Sequence, residues 1–395
     1  MNELFYFLIS LSFILIFSKI FGEVALKFNQ NKIIGELVAG IIIGPSVLGI
    51  VNKTTALSYI SELGVIILLF EVGLSIGNVR DLFKVGVWST IVAFTGVVIP
   101  CILGYFVFLL FGLTNVQSIF AGTVLTATSI SIASRVFLDL KCLDTQEAKI
   151  VLGAAVIDDI IVFVMLAVIS EFILNKAVTF NTFFSICKNI MLFLTISTIT
   201  CTFVVLLISK FILKKMKYSN TIFIIGISVC FFLSSISLKT GLTSMIGAFI
   251  AGVVFSMIGT QQIEKMKKEI KQIHVFFVPV FFVLIGTSVD INKFNPFTAG
   301  NKEILILTAI LFIVALVGKL LTGFFVVKND INKFLIGASM IPRGEVGLAL
   351  SEIGLKYGIL GTRDYNSLIA VIILTTFITP IILKYIVSKQ NDLIR

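Results

Sequence analysis

The chain has 395 residues, 58% of them hydrophobic and only 13% charged, with a mean hydropathy of +1.11 and a formal net charge of +10. Soluble globular proteins do not have that composition, so water is excluded as the main solvent. The expected fold class is an all-α polytopic membrane protein with residues 1–395 in one membrane domain.

A hydrocarbon core of roughly 30 Å takes about 20 helical residues to cross. Apolar stretches of that kind predict about thirteen spans, at approximately 4–26, 33–51, 59–76, 86–111, 116–137, 147–173, 183–213, 219–238, 242–258, 273–289, 303–327, 332–354 and 365–386. The connections are short, so no soluble domain is expected. The first stretch lacks a basic leader and runs directly into further spans, which reads as a retained helix.

Cytoplasmic loops of membrane proteins are enriched in Lys and Arg. With the N-terminus outside, one set of loops holds about twenty of them, including Lys210, Lys214, Lys215, Lys217 and Lys265, Lys267, Lys268, Lys271, against about eight on the other side. That asymmetry predicts an odd number of spans, an external N-terminus and a cytoplasmic C-terminus. It also accounts for the positive net charge without a nucleic-acid partner. The five cysteines are scattered, with no CxxC spacing, and His274 is the only histidine. They read as packing residues, and neither a zinc site nor a disulfide framework is expected.

An internal repeat organises the chain. Gly35-Glu36-Leu37-Val38-Ala39-Gly40 matches Gly247-Ala248-Phe249-Ile250-Ala251-Gly252 at an offset of 212, and Gly73 in Val72–Ile76 matches Gly286 at an offset of 213. Seven spans separate the copies, so the second enters the membrane from the opposite face. Inverted repeats of this kind characterise secondary transporters, whose site lies near the midplane between interrupted helices. The offset also connects the hydroxyl-rich run Thr126–Ser131 with Ala338–Arg343. Pro342 removes a backbone donor and Gly344 permits non-helical torsions, so a break is expected between them. Arg343 would then follow the negative end of one half-helix, and Glu345 would begin the positive end of the next. Both read as structural charges stabilising a crossed pair of discontinuous helices.

Asp158 and Asp159 lie in mid-membrane within the sixth stretch, and Lys319 lies within the eleventh. Ionisable groups at that depth are expensive unless paired or facing a water-filled cavity, and are presumed functional. Neighbouring helical residues point about 100° apart, so one aspartate can face a cavity while the other reaches Lys319. Hard carboxylate and hydroxyl oxygens suit a small alkali cation, and adjacent carboxylates titrate as a coupled pair that can hold protons or a cation. Glu36, Glu71 and Lys19 read as structural.

In this order and spacing, GELVAGIIIGPSVLG (35–49), ELGVIILLFEVGL (62–74), TATS (126–129), AVIDDI (155–160), FFVPVFFVLIG (276–286), GKLLTG (318–323) and PRGEVG (342–347) resemble the bacterial monovalent cation/proton antiporters, of the sodium/proton type called NapA beside a Kef-like branch. The resemblance covers essentially the whole chain. It implies a homodimer with a dimerisation part (approximately 1–76 and 219–289), a six-helix core (approximately 86–173 and 303–386) that moves as an elevator, and a linker helix near 183–213. It further implies that Asp159 binds the cation, that Asp158 pairs with Lys319, and that Thr128 and Ser129 lie in the unwound part of the site. Ser75 departs from the family pattern, in which many relatives carry an acid after Gly-Leu. No Gly-rich phosphate loop follows residue 390, so a C-terminal Rossmann domain and the ligand-gated potassium efflux of the Kef-like branch are not expected.

The expected function is therefore exchange of cytoplasmic Na⁺ or Li⁺ for external H⁺ across the bacterial inner membrane, electrogenic and without an organic cofactor. K⁺/H⁺ exchange on the same scaffold is the alternative. An intramembrane aspartyl protease would need its carboxylates to meet from different helices, and these two are sequence neighbours. A passive cation channel would have no use for paired broken helices. The protein is expected not to be an enzyme.

Overall fold

The computed structural model describes residues 3–75, 79–175, 221–240, 242–257, 260–289, 301–328 and 331–394, with scattered positions between 184 and 203. The helices of the first half are α1 Glu3–Lys27, α2 Lys32–Ile43, α3 Thr55–Ser75, α4 Val79–Leu110, α5 Asn115–Val124, α6 Ile130–Asp139 and α7 Gln146–Asn175. In the second half lie α8 Thr221–Lys239, α9 Ser244–Phe255, α10 Thr260–Thr287 and α11 Asn301–Leu320, which tightens into a 3₁₀ turn at Leu321–Phe325. They are followed by α12 Lys333–Ser339, α13 Glu345–Lys356 and α14 Thr362–Ile394. Among the described residues, seven helices are long and apolar enough to cross a membrane. The protein is an integral multi-pass membrane protein. The expected seventh span, 183–213, lies largely outside the described residues.

Several boundaries differ from the expected ones, each for a local reason. The second span, predicted to reach residue 51, ends as a helix at Ile43. Pro45 bars the α region to the residue before it, and Gly44 is accordingly extended at φ −72°, ψ 178°. The chain then folds back so that Val51 donates to the Ile43 carbonyl at 2.9 Å. The tenth span, predicted to start at 273, begins at Thr260. Met266 and Ile270 turn inward from this added segment, which keeps a helical period through the lysine cluster assigned to a loop.

Two groups of helices pack internally. In the first, α3 lies against α9 and α10, α2 against α1 and α10, and α8 against α9; in the second, α4 lies against α5, α7 and α11, and α14 against α11, α12 and α13. The first group closes through two glycine crossings. A Cβ on Gly40 would fall 2.0 Å from the Val283 carbonyl oxygen and 2.9 Å from Gly286 Cα, while one on Gly252 would fall 2.3 Å from the Phe70 carbonyl oxygen and 2.9 Å from Gly73 Cα. Small residues let helix backbones approach this closely in membranes. The repeat offset exchanges one crossing for the other, so the matched glycines of the sequence occupy matched places in the packing. The second group holds the interruptions: α5 and α6 are separated by residues 125–129, α12 and α13 by 340–344. The groups meet where α3 touches α6 and α14 touches α2.

Candidate functional site

Helix ends leave backbone groups unsatisfied, and in a dry interior those groups must find partners. Here the two interruptions supply them to each other. The Ser129 amide donates to the Pro342 carbonyl at 2.7 Å, and Arg343 Nε donates to the carbonyl of Leu125, the residue that ends α5, at 2.7 Å. Arg343 Nη1 reaches the Ile341 carbonyl at 2.9 Å, so one guanidinium serves the negative ends of both first half-helices. The Thr376 hydroxyl donates to the Arg343 carbonyl at 2.6 Å. Gly344 fits because nothing larger would: an added Cβ would lie 2.5 Å from Ser129 Oγ. The second break starts earlier than Pro342, at Met340. Its amide and that of Ile341 close short turns onto Gly337 and Ala338, and proline then has no N–H to continue the helix. Glu345 is the first residue of α13, and its side chain lies outside the described set.

Beside these breaks lies the charged group. Asp158, Lys319 and Arg343 are fully buried, and Asp159 is 2% exposed. Lys319 stands in the last turn of α11 and donates from Nζ to Thr128 Oγ1 at 2.7 Å and to Asp158 Oδ2 at 3.3 Å. Gly96 of α4 makes room for it, since a Cβ there would come within 3.3 Å of Nζ. The structure thus brings Asp158, Lys319 and Thr128 together around the first break. Ser129 Oγ lies 2.9 Å from Ser131 Oγ in the same turn. Asp158 Oδ1 is buried without a hydrogen-bond partner among the described residues, an acceptor of the hard kind that a proton or alkali cation takes.

Asp159 turns the other way. Its Oδ2 accepts a hydrogen bond of 3.2 Å from Thr243 Oγ1, at the N-terminus of α9 in the first helix group. Sequence reasoning missed Thr243. A threonine one residue before a helix reads as an N-cap, and nothing local reveals a partner 84 residues away. His274 and Glu71, read separately as packing and structural residues, form a part-buried pair between α10 and α3.

The chain as a whole has relatives among known proteins. Residues 9–389 match the transmembrane sodium/hydrogen exchanger family. The chain belongs to that family. It is 35% identical to the high-affinity Na⁺/H⁺ antiporter NhaS3 of Synechocystis, across 94% of this chain and 88% of that one. It is 34% identical to the Na⁺/H⁺-K⁺ antiporter GerN of Bacillus cereus, across 98% of both chains, and 31% identical to a Na⁺/H⁺ antiporter of Enterococcus hirae, across 96% and 97%. Among solved structures it is similar to the sodium proton antiporter MjNhaP1 of Methanocaldococcus jannaschii, with a TM-score of 0.67 at 16% identity over 97% of this chain and 99% of that one. That last likeness concerns the fold. The membership agrees with the resemblance to monovalent cation/proton antiporters carried by the sequence motifs.

Proposed function

We propose that this exchanger moves Na⁺ or Li⁺ out of the cytoplasm against protons at a site centred on Asp159, in the bacterial inner membrane. The observation that carries this reading is a fully buried Asp158–Lys319 pair with a second carboxylate beside it, set against two mutually satisfied helix breaks. Asp159 holds either a proton or the cation, and Thr128 and Ser129 lend hydroxyl oxygens. Arg343 and Glu345 hold the crossed, broken helices in place. The group containing α4–α7 and α11–α14 is the moving core of an elevator. The group containing α1–α3 and α8–α10 is the stationary part, through which two copies dimerise, with the N-terminus outside and the C-terminus inside.

The exchange is electrogenic in this reading, two protons for one sodium ion. When Asp159 takes a cation, Asp158 is drawn from Lys319, and the lysine gives up the second proton. The test is cation-dependent dequenching of a pH dye in proteoliposomes holding purified protein, with Na⁺, Li⁺ and K⁺ compared. Sodium or lithium should drive it; absence of any cation-driven proton flux would refute the assignment. The name of GerN includes K⁺, and a potassium response equal to that of sodium would favour K⁺/H⁺ exchange. Charge movement after a sodium jump on a solid-supported membrane tests the stoichiometry. Lys319→Gln should retain exchange and lose the current, and an unchanged current would leave Lys319 a structural partner only.

A further inference from the structure

We propose that Thr243 is a positioning residue, a latch that holds the unloaded carboxylate of Asp159 and so prevents the empty carrier from moving. The inference rests on the antiport reading above.

A threonine at a helix N-cap ordinarily turns its oxygen onto the amides of the first turn. Thr243 has the extended backbone of an N-cap, φ −71°, ψ 147°, but its side chain makes no capping hydrogen bond. Asn31, at the matching place in the first repeat, does cap its helix, accepting from the Ile33 amide at 2.9 Å. The hydroxyl of Thr243 instead donates to Asp159 Oδ2. Its aim is set from its own side of the contact: the Ser237 hydroxyl of α8 donates to the Thr243 carbonyl at 2.6 Å, and the next residue, Ser244, donates to Glu62 of α3 at 3.2 Å. Asp159 belongs to α7, which packs on α4, α5, α6 and α12. The Thr243–Asp159 bond therefore joins the two helix groups, and any displacement of one group along the other breaks it.

A hydroxyl bound to a carboxylate is roughly twice as strong as one bound to a neutral acceptor. Protonation of Asp159, or a cation on the same oxygens, removes that advantage. A contact made best by the unloaded acid stabilises the unloaded protein in this arrangement and releases the loaded one, which is the bias that coupled exchange requires. Among the described residues, charged groups around this corner include Asp158 on the same helix, Lys319 from α11, Arg343 beside Asp158, and Glu62 of α3 next to Thr243 through Ser244.

The test compares wild type, Thr243→Val and Thr243→Ser in proteoliposomes. Valine keeps the shape and removes the donor; serine keeps the donor. With valine, protons and cations no longer compete with the hydroxyl. The acid limb of the pH–activity profile should then move upward by about one pH unit, corresponding to a hydrogen bond to a charged group. Sodium moved per proton should also rise above the wild-type ratio, because the carrier can return empty. Serine should restore both. A Thr243→Val profile and ratio equal to wild type, or a serine variant that behaves as valine does, would overturn the latch. If valine does not fold, Thr243→Ala removes the same donor and is read the same way. Sodium-dependent thermal stabilisation of the purified protein gives a readout apart from transport: Thr243→Val should reach half-effect at lower sodium. An unchanged sodium midpoint counts against the latch, whereas absence of exchange by wild type counts against the antiport reading itself.

Discussion

The two repeats share a backbone plan and divide the chemistry unequally. The glycine crossings at Gly40 and Gly252 are equivalent, and the interruptions at 125–129 and 340–344 match under the same offset. The positions matching Asp158 and Asp159 in α14 are the buried, uncharged Ala370 and Val371, and the position matching Lys319 in α4 is Val107. Arg343 likewise answers to Ser131. Thus the first half contributes the acids and the hydroxyl-lined break, the second the lysine, the arginine and the latch threonine. Glycine and chain breaks build the frame twice, and single side chains make it a site once. The proposed ion site is accordingly assembled across the repeat interface, since the buried Asp158–Lys319 pair takes its acid from the first half and its lysine from the second.

The largest expected effect comes from removing Asp159, one of the two acids that have no twin. Asp159→Asn cannot alternate between proton and cation, and it should abolish sodium-driven proton flux while the protein still elutes as a folded species on size exclusion. More than a small residual flux from well-folded protein would mean that the unequal division does not locate the ion site.

Next in size are the breaks, where the halves touch. Replacing Pro342 and Gly344 together by alanine restores a backbone donor and places a methyl against Ser129 Oγ, 2.5 Å away before relaxation. The helical preference gained is about 3 kcal/mol at the proline and about 1 kcal/mol at the glycine. Transport should fall at least about tenfold with expression little changed, because that preference acts against the broken geometry. Wild-type exchange by the double variant would separate the interruption from the mechanism.

How much of this was legible beforehand follows from how local each cause is. The breaks were readable because Pro342 and Gly344 are their own cause and the repeat offset tied them to Thr126–Ser131; the paired glycines were readable as a repeat, while the crossings they form were not. Asp158, Asp159 and Lys319 stood out because charge at mid-membrane is rare. The early end of α2 was also local in origin, lying in Gly44-Pro45, but hydropathy alone carried the expected span past it to Val51. The extension of α10 hid behind its lysines, whose polarity masked the inward period of Met266 and Ile270. Thr243 was illegible in a stronger sense, since its role depends on which distant residue its hydroxyl meets.

The glycine crossings give a smaller effect and a direct check of equivalence. Gly40→Ala and Gly252→Ala would each push a methyl onto a carbonyl oxygen of the facing helix, at 2.0 Å and 2.3 Å. Each should cost about 1–3 kcal/mol as local overpacking. The two losses should agree within about 1 kcal/mol, read as thermal unfolding in one detergent. A large inequality would show that the repeats, although matched in sequence, are packed to different tolerances.

The smallest effect tests the caps, and it separates stability from coupling. Asn31 and Thr243 stand at matching helix starts, but only Asn31 caps, through its 2.9 Å bond from the Ile33 amide. Asn31→Ala removes that acceptor and should lower stability by about 1 kcal/mol, the usual loss for a capping side chain. It should leave the sodium-to-proton ratio unchanged, because Asn31 faces its own helix and no ionisable group of the site. Thr243→Val has no capping bond to lose, so it should alter the ratio and the pH profile with a smaller change in melting temperature. The pair forms a crossed prediction, one variant moving stability and the other moving coupling. It is measured by thermal unfolding and by ²²Na⁺ and pH-dye fluxes on the same preparations. If Asn31→Ala changed the ratio as much as Thr243→Val, the effect would come from loosening the repeat ends in general, and the hydroxyl on Asp159 would have no special standing.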